Sequence, residues 1–344
     1  MRVGVLTGGS DCPGLNACIR AVTRRAITAY DDQVLGIRNG WEGLIEADIE
    51  PLSLYSVSGI LPKGGTILGT SLVNPFKNEA HVAKILETAQ AYEIDALVVI
   101  GGEDTMGVAH KLAARGLKSV GIPKTIDNDV AGTDVSFGFD TAVGIATEAI
   151  DRLHSTAEAH HRVMVVEVLG RFSGAIAATA GIAGGADYIL VPEQPFSVAE
   201  VAAAIEARKR RGRNFSIIVV AEGARPREAD RDASLPRRVD EFDHPVYGGI
   251  GEYVGRQLEK LLVQTEVRVT VLGPLQRGGT PTSYDRLLAT RFGVKAADMV
   301  HQGKFGYMPA LRGTEIVEVP VVEALKRPKT IDPEILEIAK VFFG

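Results

Sequence analysis

Acidic, basic and glycine residues crowd into a few short stretches of this 344-residue chain. In Pro123-Lys124-Thr125-Ile126-Asp127-Asn128-Asp129, two carboxylates two positions apart project to one side of an extended backbone, with a lysine and a threonine beside them. A base able to deprotonate an alcohol, next to a cation able to steady a phosphoryl group, is the minimum equipment for phosphoryl transfer. By composition alone the same stretch reads as a polar turn. Gly101-Gly102-Glu103-Asp104-Thr105 sets two carboxylates beside a double glycine at a helix start, which suits either Mg²⁺ or simple helix capping. Thr7-Gly8-Gly9-Ser10-Asp11-Cys12-Pro13-Gly14 leads from a strand into a helix, and its glycines would let backbone N–H groups face a phosphate. Neither GxxxxGK[ST] nor GxGxxG occurs, so this is neither a P-loop nor a dinucleotide fingerprint.

These turns need elements to hold them. Short β-branched runs recur at Val3–Thr7, Val34–Arg38, Ala96–Ile100, Ser119–Ile122, Val163–Val168, Tyr188–Val191, Ser216–Ala221 and Arg268–Leu272. Most are apolar almost throughout, as parallel strands covered on both faces should be. Between them lie segments of helical period, such as Leu15–Tyr30, Thr105–Arg115, Thr141–His160 and Val198–Arg210. Strand–helix alternation predicts a doubly wound α/β architecture, and in such sheets ligands bind beyond the carboxyl ends of the strands, where the glycine- and acid-rich turns fall. Ala224–His244 (ARPREADRDASLPRRVDEFDH) breaks the alternation and reads as a polar surface loop. The basic run Arg208–Arg213 reads as a solvated helix end before an anion site.

Composition bounds the function. Net charge is −5 with 45% hydrophobic residues, so no basic field invites nucleic acid or an anionic membrane. No apolar run reaches the roughly 20 residues of a membrane span, and the N-terminus meets glycine too early for a secretory signal. Two cysteines, Cys12 and Cys18, make neither a disulfide framework nor a zinc site, and the expectation is a reduced, cytoplasmic protein. The chain holds 38 glycines, twelve of them in pairs at 8–9, 64–65, 101–102, 184–185, 248–249 and 278–279, where pairs suggest backbone that must bend or approach something closely.

Taken together, GGxDxPG, GGTxLG at 64–69, GGED near 101, PKTIDND at 123–129, GR at 170–171, AEG at 221–223 and QRGG at 276–279 resemble, in order and spacing, the phosphofructokinase family over essentially the whole chain. The likeness is greatest to its actinobacterial group III enzymes, some of which use pyrophosphate. The resemblance implies two Rossmann-like doubly wound domains with the active site in the cleft between them. It implies residues 1–138 plus about 275–305 as a large donor-binding lobe, and 139–274 plus about 306–344 as a small sugar-phosphate-binding lobe. It further implies a homotetramer or dimer, Mg²⁺ as cofactor and transfer to the 1-hydroxyl of fructose 6-phosphate.

Residue by residue, the resemblance puts Gly9 at the donor phosphates, Glu103 at the magnesium position and Asp127 as catalytic base, flanked by Thr125 and Asp129. Leu169, Gly170, Arg171 and Glu222 match sugar-phosphate positions, with Arg171 also offsetting charge on the transferring group. Arg162 and Arg268 match arginines that reach into a neighbouring subunit to grip the 6-phosphate, and Arg277 is a further substrate arginine. Arginine suits this because its planar fork makes paired, charge-assisted bonds to phosphate oxygens. ATP-using members typically carry glycine where Asp104 stands, and many do where Lys124 stands; both residues here match the pyrophosphate pattern, with ATP the alternative donor.

Three positions depart from the family. Leu72 replaces an arginine on the transferring phosphate, a loss of about 2–4 kcal/mol by analogy with deleting an oxyanion donor. Pro274 replaces the histidine of GHxQRGG and so removes a sugar-phosphate ligand, while Leu169 replaces methionine with little change of shape. Three alternatives follow from this: a slower enzyme on the usual substrate, a paralogue acting on another sugar phosphate such as a heptulose phosphate, or a non-catalytic sugar-phosphate sensor.

Overall fold

The eight β-branched runs all become strands, and most are buried along their whole length because helices cover both faces of the sheets. The computed structural model describes residues 1–227, 238–246 and 248–343. It divides into two compact units. Unit 1 comprises Met1–Ile126, Val130–Thr141 and Arg277–Pro328; unit 2 comprises Asp127–Asp129, Ala142–Gln276 and Lys329–Gly344.

The sheet of unit 1 is built from β1 (Arg2–Thr7), β2 (Gln33–Ile37), β3 (Ile49–Leu52), β4 (Ala96–Gly101), β5 (Ser119–Thr125) and β6 (Phe137–Gly138). The order is β3-β2-β1-β4-β5-β6, parallel except for β3, which runs antiparallel to β2. The chain leaves β1 towards β2 on one side and returns to β4 on the other. The carboxyl ends of β1 and β4 are therefore the topological switch point, where open α/β sheets bind ligands.

Unit 2 carries β7 (Val163–Val168), β8 (Tyr188–Leu190), β9 (Ser216–Ala221), the two-residue partners β10 (Arg238–Val239) and β11 (Pro245–Val246), and β12 (Val267–Val271). Its sheet, in the order β12-β7-β9-β8, is all parallel. Its core gathers Val163, Val165, Ile218 and Val220 from the strands with Phe196, Tyr253, Val254 and Leu258.

Residues 306–328, expected with the second lobe, belong instead to unit 1. Their strand pair Tyr307–Arg312 and Glu315–Pro320 and the helix Val321–Ala324 bury Met308, Val321 and Ala324 against Met106 and Val130. Of the charge-rich segment expected as a loop, 228–237 lies outside the described residues, whereas β10 and β11 pair as an antiparallel ribbon. The basic run does end a helix, Val198–Arg210, and Arg208 pairs with Asp187 at 2.7 Å.

In unit 1, two helix starts are knotted together by a buried aspartate. Asp285 Oδ2 accepts the Thr141 N–H at 2.8 Å and the Thr141 hydroxyl at 2.6 Å, while the Thr282 hydroxyl donates to Asp140. Burial pushes the Asp285 carboxyl up from the usual range, and the Thr141 bonds pull against it. Asp285→Ala leaves both Thr141 donors buried without an acceptor. It is expected to cost about 2–4 kcal/mol in urea unfolding, whereas a loss below about 0.5 kcal/mol would show the knot to be dispensable.

Candidate functional site

At the switch point of unit 1, three of the sequence motifs converge. Gly8 N–H donates to the Ile100 carbonyl at 3.0 Å, tying the turn after β1 to the end of β4. Gly9 follows with φ +78°, a left-handed conformation that favours glycine. Lys124, near the end of β5 and only 4% exposed, donates its Nζ to the Ser10 carbonyl. A side chain at position 9 would stand 3.4 Å from that Nζ. The structure thus brings Gly9 and Lys124 together, as a shared role at donor phosphates requires.

The 64–72 segment closes over the same turn. Gly9 N–H donates to the Ser71 carbonyl at 3.0 Å, and the Thr70 hydroxyl donates to the Gly9 carbonyl. Asn16, on the helix Leu15–Tyr30, donates through Nδ2 to the Lys63 and Gly64 carbonyls and accepts the Ile67 N–H at 2.8 Å. Gly64 is packed so tightly on Gly279 that a Cβ would lie 2.1 Å from the Gly279 carbonyl. Two distant glycine motifs therefore meet backbone to backbone. Arg277 Nη1 makes a long 3.4 Å contact to the Asp11 carbonyl, and Leu72 stands 52% exposed beside Ser71.

Glu103 and Asp104 open the helix Glu103–Ala113. The N-cap position is Gly102, which has no side chain to cap with, and both acids lie in the first turn, where the helix dipole favours negative charge. Among the described residues no group of three or more His, Cys, Asp or Glu is placed to hold a metal ion. Two adjacent carboxylates still fit Mg²⁺, because that ion is commonly held by one or two carboxylates while water and substrate phosphates complete its octahedron.

In unit 2, β7 and β9 end side by side. Glu222 N–H donates to the Val168 carbonyl at 2.8 Å and Gly223 N–H to the Gly170 carbonyl at 3.0 Å, so the GR turn and the AEG turn are neighbours. Leu169 N–H donates to Oε1 of Gln276, a fully buried amide in the short Gly273–Arg277 helix that also holds the exposed Pro274. Arg171 pairs with Asp240 at 2.9 Å. Arg162 and Arg268 are brought together by Glu266, which bonds Arg162 Nε at 2.6 Å and also pairs with Arg268. The hydrogen bond from Arg162, with the charges of both arginines, holds the Glu266 carboxyl below its usual range.

The segment Asp127–Asp129 also belongs to unit 2 and comes one residue after the end of β5 at Thr125, whose carbonyl accepts the Ser136 hydroxyl at 3.0 Å. Asn128 is in the left-handed region at φ +52°. Lys329 holds this turn twice: its N–H donates to the Asp129 carbonyl at 2.7 Å and its Nζ to Asn128 Oδ1 at 3.0 Å.

Sequence reading missed Asn16, Asp240, Glu266, Gln276 and Lys329. Glu266 had a signal, since it stands two positions before Arg268 at the start of β12, and residues two apart in extended backbone share a face. The others act across separations of 47 to 201 residues, which no local pattern encodes.

Comparison with known proteins supplies the family. A phosphofructokinase family model matches residues 2–300. The pyrophosphate–fructose 6-phosphate 1-phosphotransferase of Streptomyces coelicolor is 54% identical over the full length of both chains. ATP-dependent 6-phosphofructokinase 2 of the same organism is 48% identical, again over both full lengths. The pyrophosphate-dependent phosphofructokinase structure from Marinobacter aquaeolei superposes with a TM-score of 0.81 at 22% identity, covering 100% of this chain and 91% of that one, which speaks for the fold alone. With the family model spanning most of the sequence and relatives near half identity from end to end, this chain belongs to the phosphofructokinase family.

Proposed function

We propose that the chain transfers a phosphoryl group reversibly from pyrophosphate to the 1-hydroxyl of fructose 6-phosphate. The observation that carries the reading is the buried Lys124 ammonium lying under the Gly9–Ser10 turn at the switch point of a Rossmann-like sheet. A buried cation at a glycine turn suits a compact, highly charged anion, and Asp104 in the first turn of the next helix disfavours the extended chain of phosphates in ATP. Relatives named for pyrophosphate support the same donor.

In the mechanism we assign, Gly9 and neighbouring backbone groups orient pyrophosphate, with Lys124 bearing on the charge of the transferring group. Asp127 accepts the proton of the sugar 1-hydroxyl as that oxygen attacks phosphorus in line. The bridging P–O bond of pyrophosphate breaks, inorganic phosphate leaves with the bonding pair, and a new P–O bond joins the sugar. Arg171 offsets charge on the transferring group, and Leu169, Gly170, Glu222, Pro274 and Arg277 line the sugar-phosphate side, with Thr125 and Asp129 flanking the base. Glu103, with Asp104, would hold Mg²⁺, whose contribution when bound is to neutralise phosphate charge. Arg162 and Arg268 are assigned to the sugar 6-phosphate of a neighbouring subunit in a homo-oligomer; they would exchange Glu266 for that phosphate.

The donor is tested by assaying purified protein with fructose 6-phosphate and either pyrophosphate or ATP, each with Mg²⁺. Turnover with pyrophosphate at least about a hundredfold above that with ATP is expected; robust turnover with ATP and none with pyrophosphate sinks the assignment. A second reading, another ketose phosphate as acceptor, is favoured by Leu72 and Pro274 where the family carries cationic and hydrogen-bonding side chains, and the same assay run over a panel of sugar phosphates decides it. No turnover with any pair would leave a sugar-phosphate sensor. Among the described residues no helix is long and apolar enough to cross a membrane. Cys12 and Cys18 are both buried free thiols, in keeping with the reduced cytoplasmic compartment proposed for the protein.

A further inference from the structure

The charge-rich segment that interrupts the α/β alternation carries a residue that reaches a candidate substrate arginine. Its described part, 238–246, closes on itself, with β10 and β11 pairing and Asp240 organising the turn between them. Asp240 Oδ1 accepts the backbone N–H of Phe242 at 2.9 Å and of His244 at 3.0 Å, and the Asp240 N–H donates to the His244 carbonyl at 2.9 Å. One carboxylate oxygen is thereby fixed within its own turn. The other, Oδ2, accepts Nη1 of Arg171 at 2.9 Å.

Two aromatic contacts brace the pair. The Phe172 ring meets His244 edge-on, with centroids 5.5 Å apart, and the Arg171 guanidinium lies 5.8 Å from the Phe172 centroid. The side chains of Arg171 and Asp240 are 30% and 19% exposed, so water screens the pair only in part. Burial works to raise the Asp240 carboxyl, but the His244 and Phe242 N–H groups and Arg171 outweigh it and hold it below the usual aspartate range. It is therefore charged at neutral pH.

We infer that Asp240 is a positioning residue for phosphoryl transfer, holding the Arg171 guanidinium in one orientation against a turn closed by its own hydrogen bonds. A guanidinium carries five N–H donors, so one bond to Asp240 leaves others for phosphate oxygens. An arginine already held does not have to be ordered when the substrate arrives, so less of its interaction with the transition state is spent on fixing the side chain. With Leu72 in place of one cation, the orientation of the remaining arginine matters more. The inference rests on the proposed role of Arg171.

Asp240→Asn tests it cleanly. The Phe242 and His244 N–H groups require an acceptor, so the amide oxygen takes the Oδ1 place and the NH₂ faces Arg171, donor against donor. The turn survives and the pair is lost. In full-length protein assayed with pyrophosphate and fructose 6-phosphate, kcat is expected to fall about tenfold, with an unchanged melting temperature and an unchanged KM for pyrophosphate. Asp240→Ser, whose hydroxyl caps the same turn but stops short of Arg171, should show the same loss. On an Arg171→Ala background, Asp240→Asn should add nothing.

Unchanged kinetics in Asp240→Asn beside a crippled Arg171→Ala overturn this inference alone, as does a further tenfold loss in the double variant. An Arg171→Ala enzyme of undiminished rate removes Arg171 from the proposed mechanism and this inference with it.

Discussion

Replacing Asp127 by asparagine is expected to lower kcat by roughly 10²–10⁴-fold with little change in melting temperature. Asparagine keeps the size and hydrogen-bonding reach of the side chain but has no lone pair basic enough to take a proton at neutral pH. If Asp127 is the base, the loss belongs to the chemical step and KM for either substrate moves little. The turn that carries it is independently held: Lys329 bonds both Asn128 and Asp129. A substitution two positions before Asp129 therefore leaves those anchors in place, so lost rate reads as lost chemistry and not as a collapsed loop. A variant with unchanged kcat would show that the proposed base is not one.

The second large effect is expected at Lys124. Methionine in its place fills a similar volume at a site only 4% exposed, so the strand end should keep its packing while losing its charge. Burying an ammonium is costly, and the position beneath the Gly9–Ser10 turn makes sense when an anion arrives there. Lys124→Met should lower kcat/KM for pyrophosphate by about 10²–10³, the range seen when one preorganised donor is removed from a developing charge, while KM for the sugar phosphate stays near its starting value. Pyrophosphate parameters within twofold of the parent would remove Lys124 from the donor site.

Much of the scaffold was legible. The β-branched runs read as strands because a parallel sheet covered on both faces leaves no polar alternation to confuse the pattern, and β4, β7 and β9 are buried along their whole length. Among what escaped were elements without a buried run. The strand Glu315–Pro320 is nowhere fully buried, and β3 is a four-residue antiparallel edge, so neither carries a clear period. The placement of 306–328 failed for a related reason: Met308 and Val321 are ordinary apolar residues, and nothing local says that their partners are Met106 and Val130.

The site divides in the same way. Residue types and spacing gave the strand–turn–helix setting of Gly9, Glu103 and Lys124, because each is a property of a few consecutive residues, while the phosphoryl-transfer roles and the departures at Leu72 and Pro274 came from the resemblance of those motifs to a family. Only the tertiary structure decided that the Lys124 ammonium sits under the first turn, that Gly64 meets Gly279, that Glu266 gathers Arg162 with Arg268, and that Asp240 takes hold of Arg171. Those pairings join residues far apart in the chain, and the choice among many possible partners is made by sheet order and packing, a property of the whole fold that no short stretch of sequence contains.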